Sequence, residues 1–507
     1  MKEILQIFAG FPVVFQPHIL LYLLLGFFLG VIFGALPGLT TTLAIVLLLP
    51  LTYSMPITNA LVMCMGVYMA GLYAGSITAI TINIPGAPPN LMTNLEGYAL
   101  FKKGLGAKAL GHVTVASAIG GTIGALLLIF VSPISIRIAL LLRTPGKFSL
   151  ILFAFVVIVL ISKDKLKGVI VLAFGMICST IGMDPMKPVS RFTFGGMPEL
   201  IEGIEEVTLI IGAFAITELL AQSKFNNEEY KKLTEVANTY KFKRRDFFPP
   251  WKDFKELGPL IYLKCAILGY FIGVMPGAGG SMAAFLAYTE AKRSSKHPEK
   301  FGTGCLEGIV APETANNAVC GGALVPMLSL GIPGDGVTAV LLGVFLVYGI
   351  IPGPNLLREQ MHVLAPMYMA LLISAVILLP LSLFLLGPYY IKIVRINRSI
   401  LYGSIALVSL VGVYAATNDV FPIFMAILIG VLMYVLKEQG YPNVPFIIGV
   451  ILGPLFEAYL RTSLILSKGN PLIFITQMDS LVFLLLSVVF IIVIPRVNRK
   501  SHSLVEH

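Results

Sequence analysis

The sequence predicts an all-α polytopic membrane protein of about twelve transmembrane helices. Two inverted repeats, each with helices broken at Pro-Gly pairs, are expected to build it. Three observations carry this. Charged residues are 62 of 507, or 12%, against roughly 25% in a soluble domain. No Asp, Glu, Lys or Arg occurs between Glu3 and Glu96, 92 residues in succession, enough for three or four spans of about 20 residues. The same two Pro-Gly motifs also occur in the same order in each half. A soluble chain of this length would form two or more domains with charged surfaces, and there is too little charge to coat them.

Taking charges and Pro/Gly clusters as punctuation, the apolar segments fall in order. The first half holds 19–36, 39–53, 57–80, 109–131, 148–161, 168–183 and 207–221. A polar stretch follows at 222–258, carrying Lys231, Lys232, Lys241, Lys243, Arg244, Arg245, Lys252 and Lys255. The second half holds 259–275, 279–290, 305–330, 337–350, 363–387, 399–416, 420–436, 443–460 and 479–495. Segments 39–53 and 279–290 are too short to cross alone, which brings the expected crossings nearer twelve than sixteen. The chain therefore divides into a membrane half at 1–221, a basic cytoplasmic linker at 222–258 and a second membrane half at 259–507.

The repeat is legible residue by residue. LGVIFGALPGLTTTLA (Leu29 to Ala44) aligns without gaps on LGYFIGVMPGAGGSMA (Leu268 to Ala283). Leu29/Leu268, Gly30/Gly269, Gly34/Gly273, Pro37/Pro276, Gly38/Gly277 and Ala44/Ala283 are identical. INIPGA (Ile82 to Ala87) corresponds to LGIPGD (Leu330 to Asp335). Loop charge reverses between the halves. Ser54 to Thr58 is uncharged while its counterpart carries Lys292, Arg293, Lys296 and Lys300; Lys102, Lys103 and Lys108 face an uncharged Ile350 to Leu357. The positive-inside rule then orients the halves oppositely, with Arg137, Arg143 and Lys147 as an exception on the outer side. Inverted repeats with discontinuous helices are a common transporter plan.

Pro-Gly breaks leave backbone N–H and C=O groups unpaired inside the bilayer, which is tolerated only beside protein or a water-filled cavity. A half-helix starting after a break points its amides at the gap and favours an anion. The residues expected to bind substrate are Gly38, Thr40, Thr41, Asn83, Gly86, Asn90, Gly277, Gly279, Gly280, Ser281 and Gly334. Carbonyls, hydroxyls and a carboxylate also suit a coupling cation, Na⁺ or H⁺, for which Glu313, Asn316, Asn317 and Asp335 are the candidates. Close helix packing by small residues is the competing reading of any single Gly or Thr.

The remaining ionisable residues read more plainly. Glu457 and Arg461 at i, i+4 form a local ion pair. The five cysteines have no CxxC pair and read as small buried apolar residues, and no histidines sit at metal-ligand spacing. An intramembrane hydrolase is disfavoured: Ser76 and Ser281 follow glycines, but there is no GxSxG, and His112 and His362 sit at segment edges. No enzyme activity or cofactor is expected. No small-residue cleavage site precedes the first apolar run, so no cleaved signal peptide is expected.

Long strings resemble one family, the large membrane subunit of tripartite tricarboxylate transporters (the TctA family). They are GALPGLTTTLAIVLLLPLTY at 34–53, YAGSITAITINIPG at 73–86, GMDPMKPVSRFTFGGMPEL at 182–200, the block at 273–334 that opens GVMPGAGGSMAAFLAYTEAKR and closes MLSLGIPG, and ILGPLFEAYLR at 451–461. The resemblance implies a permease in a bacterial or archaeal plasma membrane. Its partners would be a small membrane subunit and an extracytoplasmic solute-binding protein. It also implies an ion gradient as driving force and citrate or related carboxylates as substrates. The chain departs where the family often has NIPGE, with Ala87-Pro88-Pro89-Asn90 after NIPG, and it has Asp335-Gly336 where small hydroxyl residues are more usual. A passive anion channel or a non-transporting scaffold are the alternatives.

Overall fold

The computed structural model describes residues 2–224, 235, 242–353, 355–390 and 398–505. Most of the basic linker, at 225–234 and 236–241, lies outside the described residues. After two short N-terminal helices the main helices follow the apolar segments closely. They are α1 (Pro17–Ala35), α2 (Thr41–Thr52), α3 (Ile57–Ile82), α4 (Leu91–Lys102), α5 (Gly106–Leu140), α6 (Thr144–Ile161) and α7 (Lys165–Ser179). A two-stranded hairpin, β1 (Gly182–Met183) with β2 (Ser190–Arg191), and a helical run at 206–222 come next. The second half has α8 (Trp251–Leu257), α9 (Pro259–Val274), α10 (Gly279–Ser294), α11 (Leu306–Leu330), α12 (Gly336–Val347), α13 (Met361–Tyr389), α14 (Arg398–Thr417), α15 (Phe421–Glu438), α16 (Asn443–Leu466) and α17 (Met478–Val505).

Seven of these helices are long and apolar enough to cross a membrane, or eight if Arg244–Leu257 and α9, bent by 93°, make one broken span. The expected twelve crossings therefore resolve into fewer full-length spans plus shorter apolar helices. α2 and α12 have 12 residues each, about 18 Å of helix against a hydrocarbon core of about 30 Å. α4, which carries Glu96 and Lys102, has no counterpart among the segments read from hydrophobicity.

The breaks follow from local chemistry. Residues preceding proline avoid the helical region. Leu36 and Met275, before Pro37 and Pro276, are accordingly extended at ψ 119° and 121°. Gly38 and Gly277 then adopt φ +84° and +75°, where a Cβ is penalised. α3 and α11 each stop at a left-handed residue, Asn83 at φ 60° and Gly331 at φ 70°, one residue ahead of the Ile-Pro-Gly that precludes further helix.

The chain folds as two compact units. The first comprises Met1–Ile136 and Glu218–Val408. At its centre lie α3 and α11, buried along nearly their whole length. The repeat reappears as matched packing. A Cβ on Gly30 or Gly34 would lie 2.7 or 2.3 Å from the carbonyl oxygens of Val67 and Gly71. On Gly269 or Gly273 it would lie 2.1 or 2.8 Å from those of Ala315 and Val319, the aligned residues. Each α1–α3 and α9–α11 contact thus requires bare backbone at the same two positions. α5 approaches α11 as closely at Gly120 and Gly124.

The second unit comprises Arg137–Thr217 and Ser409–His507. Here α7 runs beside α16, with Gly175 against Phe446 and Gly449 against Leu172. The part of the helical run that belongs to this unit, 206–217, packs on α15 through Gly212 and Gly430. Its middle is a π-helix, Ile211–Ile216, and just beyond it the Thr217 hydroxyl bonds the carbonyls of Gly212 and Gly430, 3.1 Å each.

Candidate functional site

In the first unit the breaks of one half meet the central helix of the other. Gly280, at the start of α10, faces Asn316 of α11 and Pro89 of the opposite half. Gly279 (φ +60°) faces Asp335. Glu313 of α11 is fully buried, and its side-chain hydrogen-bond partners among the described residues all come from the first half. Its Oε1 accepts hydrogen bonds from Ser76 Oγ at 2.5 Å, Asn90 Nδ2 at 3.4 Å and Thr93 Oγ1. Its Oε2 accepts one from Ser117 Oγ at 3.2 Å. Among the described residues no lysine or arginine pairs with it. A carboxylate held only by neutral donors in apolar surroundings is expensive to keep charged, which suits a group that takes up and releases a proton or a cation.

In the same unit several buried oxygens have no hydrogen-bond partner, among them Asn90 Oδ1, whose amide nitrogen reaches Glu313, and Thr41 Oγ1, Asn316 Oδ1 and Asn317 Oδ1. The amide orientations are fixed from the nitrogen side. Asn90 and Asn316 both donate to the Leu72 carbonyl at 3.2 Å, and Asn317 donates to the Met69 carbonyl at 3.1 Å. Three of the unpartnered oxygens occupy the place a side chain would need on a facing glycine. A Cβ on Gly71 would lie 2.5 Å from Thr41 Oγ1, one on Gly75 2.1 Å from Asn90 Oδ1, and one on Gly280 2.3 Å from Asn316 Oδ1. Orphaned buried acceptors are costly; neutral oxygens of this kind are what a hard cation uses as ligands.

Asp335 has a different environment. It caps α12, accepting from Thr338 N and Oγ1 at 2.8 Å each, and its Oδ2 accepts from Tyr68 Oη at 2.6 Å. The remaining candidates divide. Thr40 caps α2 through Leu43 N at 3.1 Å. Gly38 faces the Gln222 side chain. Gly277, with its positive φ, forms the matching break. Gly86 and Gly334 are packing positions, with a Cβ 2.2 and 2.5 Å from the carbonyls of Gly34 and Gly273. Asn83 and Ser281 are exposed, outside the buried cluster, and Asn83 accepts from Asn94 Nδ2 at 3.1 Å.

Sequence reading singled out Thr93 beside Asn90 among the hydroxyl and amide residues after the first-half break, but passed over Tyr68, Ser117 and Glu96. Each is a lone polar residue in an apolar context, and only the fold shows what it faces. Glu96, fully buried, binds the loop that leads into α11: Oε1 accepts from Gly302 N at 2.5 Å and Tyr288 Oη at 2.8 Å, and Oε2 from Gly304 N and Cys305 N at 2.8 Å each. Lys103 Nζ donates to the Thr303 carbonyl at 2.6 Å, so the two lysine-bearing loops of the halves adjoin. The uncharged ones adjoin as well, with Tyr348 Oη 2.7 Å from the Met55 carbonyl. His112, read as lying at a segment edge, is buried inside α5 with Nε2 2.8 Å from Asp253 Oδ2; the Ser76 hydroxyl goes to Glu313 instead. Four cysteines are buried and Cys305 is half-buried.

In the second unit the expected Glu457–Arg461 pair is present at 2.9 Å but belongs to a larger network. Arg191 of β2 binds Glu457 with both guanidinium arms, at 2.9 and 2.8 Å, and also Asp184; Arg461 reaches Asp184 at 2.8 Å. Asp184 lies in the hairpin turn, and the Arg191 guanidinium, seconded by Arg461 and the Met186 and Lys187 amides, holds its carboxyl far below the usual range.

Comparison with known proteins adds a whole-chain likeness. The profile of the tripartite tricarboxylate transporter TctA family matches residues 20–448. An uncharacterized 52.8 kDa protein in the TAR-I ttuC′ 3′ region of Agrobacterium vitis is 32% identical over 504 residues, 99% of this chain and 98% of that protein. An uncharacterized protein in the TAR-II ttuC′ 3′ region of the same organism is 35% identical over 234 residues, 46% of this chain and 96% of that protein. No solved structure matches.

Proposed function

The chain belongs to the tripartite tricarboxylate transporter TctA family, and from that premise we propose that it is the permease subunit of an ion-gradient-driven, binding-protein-dependent importer of tricarboxylates or related organic carboxylates. It works in the plasma membrane with a small membrane subunit and an extracytoplasmic solute-binding protein. The observation that carries the reading is the pair of Pro-Gly breaks, after which α10 starts against Asp335 and the unpartnered Asn316 oxygen and α2 starts with the unpartnered Thr41 hydroxyl against Gly71.

The roles divide by charge. Backbone amides at the starts of α2 and α10, around Gly38 to Thr41 and Gly277 to Ser281, receive the substrate carboxylates. Glu313, with Asn90, Asn316 and Asn317 around it, receives the coupling cation or proton; Asp335 supports the second break. The matched packing and the adjoining of like-charged loops support two repeats of opposite orientation. The second half would move against the first, with substrate near the membrane midplane.

Reconstituted vesicles containing the permease and its small subunit test this. With the solute-binding protein added outside, labelled citrate is expected to accumulate against its gradient, and an ionophore should abolish accumulation. Flux that only runs down the citrate gradient, indifferent to the ionophore, would favour a channel instead.

A further inference from the structure

The hairpin and the segment following it, 182–203, are unusual for a loop between helices. Met183, Val189, Phe192 and Phe194 are all exposed on the protein surface, Phe194 with 76% of its surface exposed. Phe192 and Phe194 also hold left-handed backbone, at φ 51° and 44°. Such conformations persist only where the surroundings impose them. Here β1 pairs with β2, Gly182 with Arg191 and Met183 with Ser190. Arg191 in turn is fastened to Glu457 and Asp184, which Arg461 also holds. Four charged groups thus hold a rigid apolar tip outward.

The side of the membrane follows from the course of the helices in the second unit and from the charge of the linker the chain then enters. α7 and α16 run parallel. Lys167 Nζ donates to the Gln439 carbonyl at 2.5 Å, Leu172 meets Gly449, Ser179 meets Gly453, and Arg191 meets Glu457. α16 is long and apolar enough to span, so Lys163 to Lys167 and the hairpin lie at opposite ends of one crossing. The 206–222 run returns toward the lysine end: Gly212 meets Ala426, Thr217 bonds Gly430, and α15 continues to Glu438 beside Gln439. It leads there into the basic linker. The linker's lysines and arginines, together with Lys163, Lys165, Lys167 and Lys437, outnumber Arg137, Arg143, Lys147, Lys187, Arg191, Arg461 and Lys468 at the other end and make the lysine end cytoplasmic. The hairpin faces outside.

We infer that residues 182–203 form the docking surface for the extracytoplasmic solute-binding protein, an inference that rests on the permease reading above. Among the described residues, the exposed charges of the segment without an ion-pair partner are Lys187 against Glu199 and Glu202, with Glu205 just beyond it. An acidic fringe around aromatic anchors fits a protein with an apolar hollow and a basic rim. It fits anionic lipid headgroups poorly. Rigid aromatic anchors ringed by polar groups are how small interfaces concentrate their affinity.

The test uses the permease in nanodiscs, titrated with the solute-binding protein purified from the same host. Phe194→Asp should weaken binding at least about tenfold, while Leu166→Asp, equally exposed at the lysine end, leaves it unchanged. A benzophenone side chain in place of Phe194 should cross-link to the solute-binding protein and not to lipid, the small subunit or a second permease. Binding by wild type that Phe194→Asp does not weaken, or cross-links only to those other species, overturns the docking surface and leaves the permease reading standing. No binding by wild type overturns both. Should Phe194→Asp fail to fold, the cross-link decides.

Discussion

Tyr68 donates its hydroxyl to Asp335 Oδ2 across 2.6 Å, joining the central helix of the first half to the second Pro-Gly break of the other. Asp335 keeps its capping bonds to Thr338 without Tyr68, but one buried oxygen would be left unpaired. Tyr68→Phe should therefore lower stability by about 1–3 kcal/mol and slow uptake by more than a comparably destabilised control. Thermal unfolding in detergent and vesicle uptake, measured on the same preparations, check both parts.

Glu313 separates coupling from binding. Glu313→Gln keeps the size and can still accept from Ser76 and Thr93, but it cannot gain or lose a charge. Accumulation against a gradient should vanish while substrate counterflow persists. Counterflow and accumulation lost together would make Glu313 structural.

The glycines of the breaks give a sharper contrast. Gly38→Val and Gly277→Val each force a branched side chain into left-handed backbone, at about 1–2 kcal/mol for chirality alone, and Gly38→Val also strikes Gln222. Both should abolish uptake with normal insertion. Gly403→Ala, which meets nothing within 4 Å, should leave uptake unchanged. Uptake surviving both valine substitutions would reduce the breaks to packing devices.

Thiol labelling tests the opposed orientation of the repeats. In a variant without native cysteines, Met55→Cys should react with an impermeant reagent from outside and Lys296→Cys only after the inner face is opened. Reaction of both from one side would contradict the inversion.

The clamp beneath the hairpin has a defined pH response. The Arg191 guanidinium leads the groups that depress Asp184. A carboxyl depressed on folding stabilises above its unfolded pKa, about 3.9, and loses that contribution as pH falls through the folded value. Proteolytic resistance of residues 182–203 should therefore be flat from pH 8 to about 5 and fail only in strong acid. Asp184→Asn should loosen the segment throughout that range.

Helix positions were open to a reader of the sequence because the bilayer makes apolarity nearly sufficient to define them. α1, α3, α9 and α11 begin and end within two residues of their apolar segments, and the Pro-Gly breaks announce themselves by steric exclusion. α4 escaped because it is a short helix with charge and amide groups, Asn94, Glu96 and Lys102, along it. The candidate site was half legible. Glu313, Asn90 and Asn316 stand out as polar residues in apolar runs. Ser76 and Thr93 become donors to Glu313 only through contacts more than 200 positions apart, which no local pattern encodes. Asn83 and Ser281, adjacent in sequence to the right motifs, point elsewhere.

Both compact units are assembled from an early and a late piece of chain, and this sets a schedule for biogenesis. Ser76, Asn90, Thr93 and Ser117 enter the bilayer some two hundred residues before Glu313 is made. At roughly 5–20 residues per second they wait on the order of ten to forty seconds as unmatched polar groups. Residues 137–217 are likewise made long before their partners after 409. The ribosome therefore delivers two half-finished bundles in alternation. A factor that shelters polar intramembrane faces during that interval would govern the yield of this protein more than its final stability does.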